Sequence, residues 1–445
     1  MSIKLGMISL GCAKNLVDGE HMLAQLADAG VTIVDDVAEA DVAVVNTCGF
    51  IESAKQEAIN TILETAQLKQ TGSLKALIVT GCLVQRYPKE IVEELPEIDA
   101  VLGTGSYTNI VDAVRAVMQA PGTVYQNFGQ INEAEMEGGR ILLTPGYSAY
   151  LKIAEGCDNH CAYCVIPSLR GKFRSRAMED VLKEAQALAD AGVRELIIVA
   201  QDITRYGMDL YHEHKLSELL HELCKMDFTW VRLHYLYPDE ITDDMIETIA
   251  QEPKIVKYLD IPIQHVNNRI LRAMHRRGDA QFLRELFHKL RREIPGLVLR
   301  TSLIVGLPGE TDEEFEELCD FLREMQIERA GVFCYSPEEG SEAAEMPDQI
   351  DEELKNERRM IIEELQSDVL DRFAARMQGQ LLDVLCEGWD GETGLYYGRS
   401  YADSQDIDAR VLFDSAFSVE EGDFVPVRIT GAQGADLTGS TERAQ

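Results

Sequence analysis

The sequence predicts an α/β protein in three parts: a parallel α/β domain over residues 3–118, a partial (β/α) barrel over 143–373 and a small antiparallel β-barrel over 376–444. Three observations carry this. Short apolar runs alternate with amphipathic stretches through the first part, and the same alternation returns from Tyr147 to about Phe373. From about Gln378 the chain changes to short strands broken by Gly388, Gly391, Gly394, Gly398 and Gly422. A length of 445 residues suits about three domains, and an apolar fraction of 45% is ordinary for a chain that buries a core.

In the first part the expected strands are Lys4 to Leu10, Val31 to Val34, Val42 to Asn46, Lys75 to Thr80 and Ala100 to Leu102, with helices over Asn15 to Ala29, Glu52 to Leu68, Pro88 to Glu94 and Thr108 to Met118. Cys12, Cys48 and Cys82 each follow a strand, at the edge where open parallel sheets gather ligands, and each adjoins a glycine: Gly11, Gly49 and Gly81. A single cysteine in such a place is often a small buried hydrophobe. Three at one sheet edge form a ligand set for a 4Fe-4S cube with one iron left open, assembled only on folding. Residues 119–142, polar and carrying Gly122, Gly129, Gly138 and Gly139, are expected to be a linker.

The second part opens with Glu155-Gly156-Cys157-Asp158-Asn159-His160-Cys161-Ala162-Tyr163-Cys164. Its C-x3-C-x2-C spacing is too tight, and its cysteine number too odd, for a disulfide framework. Zinc held by cysteine alone normally shows paired C-x2-C knuckles, and no second knuckle follows. Three thiolates on one loop suit three irons of a 4Fe-4S cube, with the fourth iron free for a non-protein ligand. The loop lies beyond the first of six expected strands: Tyr150 to Glu155, Glu195 to Ala200, Trp230 to Tyr235, Tyr258 to Pro262, Leu299 to Val305 and Ala330 to Tyr335. That is the end of a β/α barrel where active sites sit. The charged helix Asp351 to Phe373 is expected to cross the barrel's outside with its charges solvated. Cys224, Cys319, Cys334 and Cys386 lie on apolar faces and are expected in the core.

In the third part, strands are expected at Leu381 to Cys386, Leu395 to Gly398, Ala409 to Phe413 and Phe424 to Thr430, within a barrel of about five. It carries 13 carboxylates against 4 arginines, a net of −9, on a chain with 42 Lys plus Arg against 77 Asp plus Glu and a formal charge of −35. Such a balance opposes a polyanionic partner and favours a basic one. The basic run Arg170 to Arg176 is the competing feature that favours RNA. No apolar run approaches the roughly 20 residues that span a bilayer, and the N-terminus lacks a signal peptide's apolar stretch. The expectation is a cytoplasmic protein without disulfides.

The cysteine loop, with aromatic Tyr163 before its last cysteine, resembles the cluster loop of radical S-adenosylmethionine (SAM) enzymes. The resemblance implies that the cluster of Cys157, Cys161 and Cys164 binds SAM through the open iron and cleaves it to a 5′-deoxyadenosyl radical. Three later strand ends fit a SAM pocket, with Gln201, Gln264 and Gly306 as contacts and Arg300 as a carboxylate or supporting contact. Taken together, the three parts are similar to the methylthiotransferases, which replace C–H by C–S–CH3. Gly11 to Asp18, Asn46 to Ile51, Pro167 to Arg176 and Gly398 to Asp403 resemble the RimO type, and the third part resembles a TRAM domain. The resemblance implies an auxiliary 4Fe-4S cluster on Cys12, Cys48 and Cys82, SAM as both methyl donor and radical source, and a sulfide or persulfide sulfur source. No side chain is expected to carry the chemistry itself. The implied partners are a low-potential electron donor and ribosomal protein S-twelve, free or in the ribosome, methylthiolated on an aspartate β-carbon. The alternatives are a tRNA adenosine methylthiotransferase, and an electron-transfer protein with two fully ligated clusters. His160 has no implied role and is expected to be solvated.

Overall fold

The computed structural model of the chain describes residues 3–72, 74–133 and 138–442. Its first sheet is parallel throughout, in the order β2-β1-β3-β4-β5-β6. The strands are β1 (Lys4–Ser9), β2 (Thr32–Ile33), β3 (Val42–Thr47), β4 (Ala76–Gly81), β5 (Ala100–Leu102) and β6 (Tyr125–Asn127). β3 and β4 are buried along their whole length, as central strands covered on both faces must be. Met22, Leu23, Leu26, Ala113 and Val114 cover one face, and Ala58, Ile62 and Ala66 the other.

β6 lies inside the stretch expected to be a linker. Its residues are too polar and too few to show a period, yet Tyr125, Gln126 and Asn127 pair in register with β5. The following segment is also held: Arg140 donates to Tyr150 O at 2.6 Å and to Glu184 at 2.6 Å, and pairs with Glu20. The first domain therefore extends beyond residue 118 and is fastened to the second.

The second sheet has six parallel strands in the order β14-β13-β12-β11-β10-β7, the open barrel expected from the repeated β/α units. They are β7 (Ser148–Lys152), β10 (Glu195–Val199), β11 (Trp230–Leu233), β12 (Ile255–Asp260), β13 (Val298–Val305) and β14 (Arg329–Cys334). A short ribbon, β8 (Ala154–Glu155) paired with β9 (Arg174–Ser175), closes the base of the cysteine loop. Strand residues Leu151, Ile198, Leu233, Leu259 and Leu303 pack under helix residues Leu219, Ile249, Phe287 and Phe321 in one core.

The helix Glu352–Met377 departs from expectation. Two of its cations are buried: Lys355 Nζ donates to Tyr335 O at 2.9 Å, and Arg358 Nη1 to the Glu310 carboxylate at 2.9 Å. A helix whose charges cap strand ends has no clean apolar stripe, so its packing does not show in the sequence.

The last part is a closed barrel in the order β15-β16-β17-β19-β18. Its strands are β15 (Leu381–Asp390), β16 (Leu395–Arg399), β17 (Val411–Asp414), β18 (Phe424–Gln433) and β19 (Asp436–Thr441), while Ala444, the expected end of this part, lies outside the described residues. Its core is shared with Trp230, Val256, Tyr258 and Val298, near the starts of the central strands. The loop after β16 enters that floor. Arg399 and Arg232 both meet Glu195 (2.6 and 2.9 Å), Asp403 meets Arg329 (2.7 Å) and Asp408 accepts from Tyr258 (2.6 Å). Burial opposes the Glu195 charge, but the two guanidiniums prevail and hold its carboxyl down at about 2. Asp403 and Asp408 are thus structural, leaving Asp406, Glu420, Glu421 and Asp423 among the exposed carboxylates of this part.

Candidate active site: two cysteine triads beside one cavity

The loop of Cys157, Cys161 and Cys164 leaves the rim of the central barrel through Gly156. This glycine has φ of 79°, and a Cβ there would lie 2.1 Å from Lys172 O, so no other residue fits. Cys157 N–H donates to Gly171 O at 3.1 Å, Cys164 N–H to Cys161 O at 2.9 Å and Ala162 N–H to Met274 O at 3.2 Å. Polar groups then approach the sulfurs. Ile166 N–H donates to Cys164 Sγ at 3.4 Å, and Arg276 and the Tyr237 hydroxyl each lie 3.8 Å from Cys161 Sγ. Burial pushes the Cys157 thiol up to about 11 and the Cys164 thiol up to about 12, so a metal must displace protons to bind them. His160 is exposed, as expected, and contributes its backbone carbonyl to His275 at 3.2 Å.

The second triad is brought together from three strand ends. At Gly11 (φ 86°) a Cβ would sit 2.7 Å from Cys48 Cβ, at Gly81 (φ 101°) 2.4 Å from Thr47 O, and at Gly49 2.7 Å from Leu83 Cα. The glycines are what let Cys12, Cys48 and Cys82 approach one another. Asn15 ties the strand ends together, donating to Leu10 O at 2.8 Å and Thr47 O at 3.3 Å. Burial raises Cys82 to about 11 and also raises Cys48. Cys12 is exposed, yet the protein around its sulfur still favours the neutral thiol; Lys14 and Arg170 outweigh that and lower it.

All ten cysteines are free. Among the described residues no three His, Cys, Asp or Glu side chains converge on a single ion. A cube takes each thiolate at a different corner and asks for a wider triad than one ion does. The donor chemistry suits such a cluster: three soft thiols per site, with N–H groups donating to Cys164 and Cys82 sulfur. Cys224, Cys319 and Cys386 are buried in cores, as expected, whereas Cys334 is not a core residue: β14 ends at the barrel rim, and its thiol lines a cavity.

That cavity, about 870 Å³, lies between the first two domains. Tyr163 from the cysteine loop forms part of its wall, with Phe50, Ile51 and Glu52 following Cys48, and Gln264, Ser302, Ile304 and Phe333 from the barrel rim. Gln264 is thus on the cavity, with a left-handed backbone at φ of 68°. Gln201 donates to Glu155 at 2.6 Å, and its own carbonyl oxygen is buried without a partner. Arg300 does not line this cavity but a separate one beside β14; it pairs with Asp260 at 2.7 Å and reaches Ser302 Oγ at 3.4 Å. Gly306 has φ of 73°, its N–H donates to Glu310 at 2.8 Å, and a Cβ there would meet Lys355 Cγ at 2.2 Å, so packing already requires this glycine.

Several residues that hold the site were not expected. Glu338, beyond β14, accepts from Glu52 N at 3.0 Å and from Arg86 at 2.7 Å, and pairs with Lys55 at 3.2 Å. Arg86 also donates to Gly49 O at 2.9 Å, so this carboxylate fixes the Cys48 loop and the helix Cys82–Arg86 together. Acidic residues at loop starts carry no signal that tells a buried latch from a solvated charge. The basic run is likewise corrected. Arg170 and Arg176 are buried, and Arg176 pairs with Glu184 at 2.7 Å, so only Lys172 and the half-buried Arg174 of this run remain at the surface.

An open six-stranded β/α barrel with a three-cysteine loop at its rim defines the class, a radical SAM enzyme, and comparison with known proteins agrees. Residues 151–322 match the radical SAM superfamily, 4–103 the uncharacterized protein family UPF0004, and 379–441 the TRAM domain. Among solved structures, a radical SAM methyltransferase, TsrM from Kitasatospora setae, shares the fold with a TM-score of 0.57 at 15% identity, over 88% of this chain and 79% of that one. The chain belongs to the RimO family of ribosomal protein uS12 methylthiotransferases. It is 50% identical to the member from Pelotomaculum thermopropionicum over 99% of this chain and 100% of that one. It is also 49% identical to the Geobacter sulfurreducens member over 98% of each. Among the described residues no helix is long and apolar enough to cross a membrane.

Proposed function

We propose that Cys157, Cys161 and Cys164 hold the cluster that generates the radical, and that Cys12, Cys48 and Cys82 hold the auxiliary cluster that presents sulfur. The protein acts as a SAM-dependent methylthiotransferase on an aspartate β-carbon of uS12. The observation that carries this reading is the shared cavity, walled by Tyr163 beside one triad and by Phe50 to Glu52 beside the other. When bound, the clusters and SAM supply the radical that takes the hydrogen, and the sulfur and methyl group that replace it, chemistry beyond any side chain.

The chain's own groups bind, orient and exclude water. Arg276 and Tyr237 place N–H and O–H donors near Cys161. Phe50, Ile304 and Phe333 give the cavity apolar walls that keep water from a reactive radical. Gln201 and Gln264 are the proposed polar contacts for SAM, the first through its unpartnered oxygen. Arg300 acts through Ser302, and Gly306 shapes the rim. A second cavity of about 450 Å³ runs beside β14, lined by Ile407, Asp408 and Ala409 of the last domain, and Phe333 borders both cavities. The substrate segment is proposed to follow that path. A low-potential donor supplies electrons, and sulfide or persulfide supplies sulfur.

Anaerobically reconstituted enzyme given SAM, reductant, uS12 and tRNA together should put a methylthio group on the uS12 aspartate, read by mass spectrometry of the digested products. Changing Asp406, Glu420, Glu421 and Asp423 to Lys should slow association with the basic protein, an effect that fades as salt screens exposed charges over about 10 Å at 0.1 M. Methylthio-adenosine in the tRNA with unmodified uS12 contradicts the reading.

A further inference from the structure

Arg170 lies four residues before Arg174 in a run that has the look of a surface patch, yet it is 4% exposed. Its guanidinium has partners on every side. Nε donates to Cys82 Sγ at 3.3 Å, Nη2 to Asn15 Oδ1 at 3.0 Å, and Nη1 to Asp18 and, at 3.3 Å, to Glu155. Each partner belongs to the machinery of one triad. Asn15 and Asp18 lie on the helix that begins after Cys12. Glu155 leads into Cys157, and its other oxygen accepts from Gly156 N–H at 3.2 Å and from Gln201 at 2.6 Å. Arg170 itself ends the helix Ile166–Arg170, which starts two residues after Cys164, and Val165 and Leu169 pack on Cys82 and Phe50.

We propose that Arg170 is a positioning residue that sets the redox potential of the auxiliary cluster through Cys82 and fixes that sulfur relative to the radical loop through Glu155. This deepens the assignment above and rests on it. A cluster gains negative charge on reduction, so a positive charge and an N–H donor at a ligand sulfur stabilise the reduced form and raise the potential. A guanidinium suits this place because it stays charged when buried and its fork reaches several acceptors at once. Lys152, bonded to Asp18 and at 2.9 Å to Glu155, supports the same carboxylates without touching the sulfur. Asp18 and Glu155 act on the potential in the opposite sense, so substitutions on the two sides of the contact move it in opposite directions.

The test uses the full-length chain with both clusters reconstituted anaerobically, and the same chain with Cys157, Cys161 and Cys164 changed to Ala to isolate the auxiliary signal. Redox titration followed by electron paramagnetic resonance should show the auxiliary potential falling in Arg170→Met, falling less in Arg170→Lys, and rising in Asp18→Asn. The radical-cluster signal should stay in place. Arg170→Lys keeps a charge in the buried network and keeps the test readable if the Met variant does not fold. Selective loss of about half the iron from either Arg170 variant, with the melting temperature and radical signal retained, also supports the proposal, since about four irons belong to each triad. An auxiliary potential and iron content unchanged in both Arg170 variants overturns it. A native chain that binds only about four irons fails the underlying two-cluster reading instead, so the two failures are distinguishable.

Discussion

Cys157, Cys161 and Cys164 are presented by a single short loop, whereas Cys12, Cys48 and Cys82 come from the ends of three strands and meet only when the first sheet has formed. The first triad's polar neighbours, Ile166, Tyr237 and Arg276, all belong to its own domain. The second depends on its neighbour: Arg170 reaches Cys82, and Glu338 anchors the helices that follow Cys48 and Cys82. A locally encoded site tolerates changes elsewhere in the molecule. A site assembled across a domain boundary can be lost through residues far from its ligands in sequence.

The largest effect expected from this contrast is at the local loop. Replacing Cys157, Cys161 and Cys164 together by Ala should reduce iron from about eight to about four per chain and stop SAM cleavage, with the fold retained. Persistent 5′-deoxyadenosine formation would show that the radical is made elsewhere. A smaller, selective effect is expected at the latch. Glu338→Ala leaves Arg86 and Lys55 without their shared carboxylate, and breaking such a buried pair costs about 3 kcal/mol. Product formation should drop more than SAM cleavage, because the disturbed elements carry Cys48 and Cys82. An equal loss of both activities would blur the comparison.

The smallest effect concerns the domain that holds neither triad. Glu195 has a folded value held below its ordinary 4.5, so its stabilising contribution is present above 4.5 and lost as pH falls toward about 2. Melting temperatures measured from pH 5 downward should fall more steeply for the native chain than for Glu195→Gln, which lacks this titration. Parallel slopes would mean that the Arg399–Glu195–Arg232 cluster does not secure the last barrel.

The contrast also governs what the sequence reveals. The radical loop is legible because its ligands are adjacent and their spacing is itself the chemistry. The three-part α/β architecture is legible because apolar periods repeat over more than four hundred residues. Cys12, Cys48 and Cys82 show as three strand-end cysteines beside glycines, a candidate ligand set scattered in sequence, which resemblance to a family strengthens. Glu338, Arg140 and Arg170 are invisible beforehand, since a buried ion pair and a solvated charge use the same letters. β6 is missed because three half-polar residues have no period, and Cys334 is misplaced because an apolar strand end can face a cavity as readily as a core. Asp403 and Asp408, which count as exposed acid in a charge sum, prove to be the floor of the central barrel.

The division of labour between the triads is tested most directly by replacing Cys12, Cys48 and Cys82 together by Ala and measuring 5′-deoxyadenosine and methylthiolated uS12 in the same anaerobic reaction. The account predicts that SAM is still cleaved while no methylthio group reaches the aspartate. Methylthiolated uS12 formed at the native rate by that variant would contradict it.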